Sequence, residues 1–217
     1  YQRGFGGHFH NDNSITALRD IPGIVVGCAS RGDDAVTMLR TLAALAKVDG
    51  RVCVFLEPIA LYMTKDLHEA GDGGWLTTFP PPGDAMPLGE GRVYGEGDDL
   101  VVFTYGNGVP MSLRAARRIR EAHGWDVRVV DLRWLVPLNE GYIREQAANA
   151  KRILVVDEGR RSAGVGEGVI TAIAEGGYGA RPFRRIVGAD TFTPLAGAAF
   201  LVIPSEDEIV AAAATMA

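Results

Sequence analysis

Only two cysteines stand in the 217-residue chain, Cys28 and Cys53, and both lie inside apolar runs, GIVVGCA and RVCVFLE. Each reads as a small buried hydrophobe rather than half of a disulfide or a reactive thiol, which suits a reducing compartment. No stretch approaches the roughly 18 uninterrupted apolar residues of a membrane span, and no secretory signal is legible, so the expectation is a cytoplasmic protein without a membrane partner. Surplus positive charge is missing too. Against 22 Lys+Arg stand 27 Asp+Glu, a net charge of -5, whereas phosphate-backbone binding needs a dense basic face; no nucleic-acid partner is expected. No Ser or Cys occupies a nucleophile elbow, and neither an internal repeat nor a low-complexity tract is found.

What remains is a loop-punctuated globular composition, 47% hydrophobic and 23% charged with 28 Gly and 11 Pro. The length permits one large domain or two of about a hundred residues each. Tyr1 is not a methionine, and the chain opens directly into a Gly/His/Asn loop, so it reads as the back part of something longer.

Gly23 to Ala29 is a β-branched run, followed by a helical pattern of Val36, Leu39, Leu42, Ala43 and Ala46 between Asp33 and Val48. Arg51 to Leu56 is apolar on consecutive residues, as a strand covered on both faces would be, which completes a βαβ unit. From Tyr62 to about Arg92, glycine and proline dominate without periodicity, and the stretch reads as an interdomain linker. Strand and helix patterns then alternate. Strands are expected at Leu100–Tyr105, Asp126–Leu132, Ile153–Asp157 and Phe183–Val187, with helices near 110–123, 140–149 and 166–175. Ser205 and Glu208 form a capping-box pattern before a final Ala-rich helix. Such alternation favours parallel pairing and a doubly wound α/β architecture.

The densest cluster of functional side chains is Gly6-Gly7-His8-Phe9-His10-Asn11-Asp12-Asn13. If that segment is extended, His8, His10 and Asp12 point the same way, because side chains alternate with period two. Three readings are open. His-x-His-x-Asp is similar to the start of a metallo-β-lactamase-type zinc motif, although Asn13 stands where another histidine is needed. The histidines fit equally a turn held by hydrogen bonds. The third reading is catalytic, since an imidazole gives or takes a proton near neutrality. Elsewhere, Gly71-Asp72-Gly73-Gly74 imitates a magnesium-diphosphate motif but follows no hydrophobic strand. Gly164-x-Gly166-x-Gly168 lacks the full dinucleotide spacing and reads as close packing. Tyr105-Gly-Asn-Gly108 lies where a strand feeds a helix N-terminus, either an anion site or a tight turn.

Taken in order, GGHFHNDN, IPGIVVGCASRGDDAVTML, VCVFLEPIALY, GDDLVVFTYGNGV, VVDLRWLVPLN, ILVVDEGRRSAGVGEGVITAI and IVGADTFTP resemble the β subunit of thiamine-diphosphate-dependent 2-oxo acid dehydrogenases, within the transketolase-like group. The resemblance runs nearly end to end. It implies two doubly wound, mostly parallel-sheet domains: residues 1–80 as the latter part of a pyrimidine-binding domain, 81–92 as linker, and 93–217 as a transketolase C-terminal-like domain. It implies thiamine diphosphate and Mg2+, both bound mainly outside this chain, and oxidative decarboxylation of a small 2-oxo acid with acyl transfer to a lipoyl-bearing acyltransferase. Further implied partners are an α-type subunit and a second copy of the chain. His10, twelve residues before Pro22, takes the position of the family's active-site histidine, with His8, Asn11, Asp12 and Asn13 lining the same mouth. Asn11-Asp12 replaces a familiar Ser-Gln, and Arg51 stands where a potassium loop would carry an amide, so no bound metal is expected. Alternatives are another transketolase-group enzyme, such as transketolase or deoxyxylulose-phosphate synthase, and a non-catalytic assembly module.

Overall fold

Alternate residues of the central strands enter two different cores, which is how a run such as LVVFT stays buried at every position. A computed structural model describes residue 1 and residues 3–216, with His8 and Phe9 described by their backbone alone. In chain order the elements are α1 (His8–Asn11), α2 (Ile15–Arg19), β1 (Val25–Cys28), α3 (Gly32–Val48), β2 (Cys53–Leu56), β3 (Arg92–Tyr94), β4 (Leu100–Thr104) and α4 (Gly108–His123). They continue with β5 (Val127–Asp131), β6 (Trp134–Val136), α5 (Glu140–Ala147), β7 (Ile153–Arg160), α6 (Val165–Ile173), β8 (Phe183–Gly188) and α7 (Glu206–Ala214).

Five strands form one sheet in the order β3-β5-β4-β7-β8, parallel except for the edge strand β3. The other three form a smaller sheet, β2-β1-β6, in which Val25 of β1 lies opposite Cys53 of β2 in parallel register. The α/β class and its two wound sheets are as expected. Several short elements are new, among them β6, which pairs antiparallel with β1 although it directly follows β5 of the larger sheet. Arg133 makes this possible. Its φ of 57° turns the chain sharply after β5, and its carbonyl accepts from Cys28 N at 2.8 Å, so Trp134–Val136 crosses to the smaller sheet.

Val101, Phe103, Val130, Ile153 and Val155 face one core, shared with Ile143 of α5, Val169 of α6 and Ile24, Val26 and Cys28 from the smaller sheet. Their neighbours Leu100, Val102, Val129, Leu154 and Val156 face the other, closed by Met111 and Ile119 of α4 and Ile209 of α7. Each fully buried aliphatic side chain contributes about 1.5–3 kcal/mol, so strands covered on both faces fix the fold. Helix α4 stops at Gly124, whose left-handed φ of 68° a side chain rarely adopts. The capping box at α7 is complete: Glu208 N donates to Ser205 Oγ at 3.2 Å and Ser205 N to Glu208 Oε2 at 2.9 Å. Within the stretch 62–91, Trp75 and Met86 are buried against α3 and its neighbours, and Trp75 Nε1 donates to Ser30 O at 3.1 Å.

Candidate functional site

From β4 the chain crosses through α4 to β5, and from β7 through α6 to β8, so it departs in opposite directions from two adjacent strands. Ligands of open α/β sheets bind outside the strand ends at such a reversal. Here the chain's own carboxylates fill it. Asp157 Oδ2 accepts from Gly166 N at 2.7 Å, in the first turn of α6, and its Oδ1 accepts from Gly159 N at 2.7 Å and from Tyr105 Oη at 2.6 Å. Glu158 accepts from Asn107 Nδ2 at 2.7 Å, at the start of α4, and faces Arg3 Nε at 3.4 Å. A Cβ on Gly164 would come within 2.7 Å of Asp157 Oδ2 and of Arg160 O, so that glycine lets the carboxylate approach. Burial pushes the Glu158 carboxyl upward, opposed by Arg3 and Asn107, and burial followed by the Asp157 charge pushes the Tyr105 phenol well up.

The three glycine-rich motifs are thereby explained. The start of α6 receives the Asp157 carboxylate in place of an external anion, and Tyr105–Gly108 closes as a tight turn in which Gly108 N donates to Tyr105 O at 3.0 Å. In Gly71–Gly74, Asp72 accepts backbone N–H bonds from Leu67, His68, Glu69 and Gly74 at 2.7–2.9 Å, which hold its carboxyl well below the ordinary range. It is a self-capped turn.

The N-terminal segment lies across this filled crossover. Residues 8–11 form a single helical turn rather than an extended strand, so the condition for the period-two alignment of His8, His10 and Asp12, an extended segment, is not met. The His8 side chain lies outside the described residues. His10 is exposed. Asn11 is 5% exposed, its Oδ1 accepting from Gly4 N at 2.8 Å and its Nδ2 donating to Gly7 O at 3.2 Å. Asp12 accepts from Ser14 N at 2.8 Å and forms an ion pair with Arg160. Asn13 Nδ2 donates to Tyr105 Oη at 3.3 Å while its Oδ1 accepts from Ile15 N at 3.2 Å. The structure therefore gives Asn11, Asp12 and Asn13 the work of shaping the turn and leaves His10 facing outward. They bend the chain through Ser14, which holds a left-handed φ of 51°.

A second polar cluster, not legible in the sequence, joins the two sheets. Ser30 donates to Asp131 Oδ2, Arg133 N donates to Asp131 Oδ1 at 3.1 Å, and Arg133 Nη2 meets Asp34 Oδ1 at 2.5 Å with both side chains nearly inaccessible. Arg92 adds contacts to Asp33 and Asp34 at 3.1 and 3.3 Å. Burial pushes the Asp131 carboxyl up to about 7, against the Ser30 and Arg133 contacts. The available signal was a carboxylate ending a buried strand, in VRVVD as in ILVVDE.

Thiamine diphosphate requires a diphosphate cradle and a carboxylate facing the aminopyrimidine. The described residues do not fit that holding role: Asp157 caps the start of α6, Gly108 N and Val109 N at the start of α4 donate to Tyr105 O and Gly106 O, and Glu158 lies against the Asn107 side chain there.

A family model described as "Transketolase, C-terminal domain" matches residues 89–207. The pyruvate dehydrogenase E1 component subunit beta of Staphylococcus aureus is 29% identical over 213 residues, covering 95% of this chain and 61% of that protein. The 3-methyl-2-oxobutanoate dehydrogenase subunit beta of Mycobacterium tuberculosis is 31% identical over 212 residues, covering 95% of this chain and 57% of that protein. A solved chain titled "Split gene transketolase, inactive beta4 tetramer" matches at a TM-score of 0.74 and 19% identity, over 100% of this chain and 64% of that one, a likeness of fold. This chain thus spans about three fifths of the length of these relatives.

Proposed function

The chain belongs to the transketolase C-terminal-domain family, and from that premise we propose that it is part of the decarboxylating component of a 2-oxo acid dehydrogenase complex. The observation that carries this reading is the similarity, over 95% of the chain, to two subunits named for such enzymes. The proposed reaction is oxidative decarboxylation of a small 2-oxo acid with acyl transfer to a lipoyl-bearing acyltransferase. Thiamine diphosphate and Mg2+ are held by parts outside this chain, and an α-type subunit supplies them. His10 is the proposed catalytic residue: it gives or takes a proton at the mouth, oriented by a turn that Asn11, Asp12 and Asn13 shape. Among the described residues no helix is long and apolar enough to cross a membrane; the proposed setting is a cytoplasmic complex.

The transketolase alternative calls for a basic mouth that receives a sugar phosphate, and the nearby arginines are committed elsewhere. Arg3 donates to Pro204 O at 2.9 Å and faces Glu158, Arg19 donates to Ala163 O at 2.9 Å, and Arg31 faces Asp33 at 3.5 Å and covers Trp75. The assembly reading draws on Phe183, Leu195, Phe200 and Leu201, all exposed on the larger-sheet half; it adds self-association to the catalytic reading rather than replacing it. The deciding experiment reconstitutes the chain in its full-length form with an α-type subunit, thiamine diphosphate, Mg2+ and a lipoylated acyltransferase. Acyl transfer from pyruvate or a branched 2-oxo acid is expected. Ketol transfer between sugar phosphates without lipoyl acylation would refute the proposal.

A further inference from the structure

Arg160 lies at the end of β7, where the pairing with β8 slips: Asp157 stands opposite Val187, yet Arg160 stands opposite Gly188. The two extra residues, Glu158 and Gly159, form a bulge, and bulges re-aim the side chain that follows them. The bulge is built in. Gly159 N is held by Asp157 Oδ1 at 2.7 Å, and a Cβ on Gly188 would come within 2.9 Å of Gly159 O. So redirected, the Arg160 guanidinium reaches Asp12, 148 residues away in sequence, and lies 4.9 Å from the Phe192 ring centre. Its Nε also donates to Thr191 O at 3.4 Å. Asp12 is two residues beyond His10, and its other oxygen holds Ser14 N at 2.8 Å. One carboxylate therefore ties the exit of the histidine turn to its own backbone and to the larger sheet.

We propose that Arg160 is a positioning residue for His10, acting through its ion pair with Asp12 to hold the histidine turn against the end of β7. The proposal rests on the catalytic reading of His10 given above. Arg160 acts through Asp12; it fixes the platform from which the imidazole projects. An offset of about 1 Å in such a platform costs on the order of a hundredfold in rate.

The test uses the assembled holoenzyme with Arg160→Gln, Asp12→Asn, the double variant and Arg160→Lys, together with His10→Ala. Hydrogen exchange of the peptide spanning residues 7–15 is measured alongside kcat and KM. Arg160→Gln and Asp12→Asn are each expected to speed that exchange about tenfold, to lower kcat by about 10- to 100-fold, and to leave KM within about twofold. The double variant is expected to be no worse than the more severe single, because both remove one link, and Arg160→Lys is expected to restore part of the protection. Unchanged exchange in Arg160→Gln, or faster exchange with parental kcat, overturns the proposal. The two ideas separate cleanly. A dead His10→Ala enzyme with unaltered exchange in Arg160→Gln removes the anchor and keeps the catalytic reading. Parental kcat in His10→Ala with faster exchange in Arg160→Gln keeps the anchor and removes the catalytic reading.

Discussion

The central strands of the larger sheet are covered on both faces, whereas the smaller sheet is left half open. Every residue of β4 is buried, Asp157 caps the start of α6, and Glu158 lies against the Asn107 side chain at the start of α4. In the smaller sheet all four residues of β2 are only partly buried, and Leu39, Val48 and Val52 beside it are exposed. The difference bears on the chemistry we propose: the crossover of the larger sheet reads as a scaffold, and exposed His10 belongs to a segment held to it through Asn13–Tyr105 and Asp12–Arg160 contacts.

The seam between the two regions offers the most severe way to break the comparison. Arg133→Ala leaves Asp34 buried without its main partner, and the expected cost approaches 5 kcal/mol, the upper end for breaking a buried pair. Urea unfolding measures it; a loss under about 1 kcal/mol would show that the sheets are held by their shared apolar core instead.

Asp131 sharpens the same point through pH. Its folded-state pKa of about 7 lies above the ordinary 3.8, so the folded chain keeps a proton that the unfolded chain has released. The stabilising contribution is full below about pH 4 and is lost as pH rises through 7, on the order of 4 kcal/mol across that window. Asp131→Asn is expected to remove this decline, seen as a flatter difference curve of unfolding free energy against pH from 4 to 8. A parallel curve for parent and variant would contradict the raised value.

The smallest effect belongs to the self-contained region. Ser205→Ala removes the capping-box acceptor at α7 and is expected to cost about 1 kcal/mol of stability by thermal unfolding, with no change in holoenzyme kcat. A change in kcat would mean that the scaffold and the histidine turn are coupled through α7.

Strands β4 and β7 of the larger sheet were legible as runs of consecutive apolar residues and β5 as a β-branched run interrupted by Arg128, and α7 because Ser205 and Glu208 announce it. The short strands were not. Arg92-Val-Tyr is three residues at an edge, and Trp134-Leu-Val follows a left-handed arginine that carries no glycine or proline signal, so its change of sheet is set by tertiary pairing. At the candidate site, sequence spacing singled out His10 and its polar neighbours, but it could not tell the outward imidazole from the turn-building amides. That distinction depends on what Asn11 and Asn13 meet: Gly4 nearby and Tyr105 far along the chain. The role of Arg160 was not legible, because its partner lies 148 residues away.

His10→Ala in the reconstituted complex is the sharpest probe of the proposed chemistry, because the side chain is exposed and its removal should leave unfolding within about 0.5 kcal/mol of the parent. The expected result is a fall in lipoyl-dependent turnover of about 10²- to 10⁴-fold with the complex still assembled. Parental turnover in that variant would contradict the assignment of His10 as the catalytic residue.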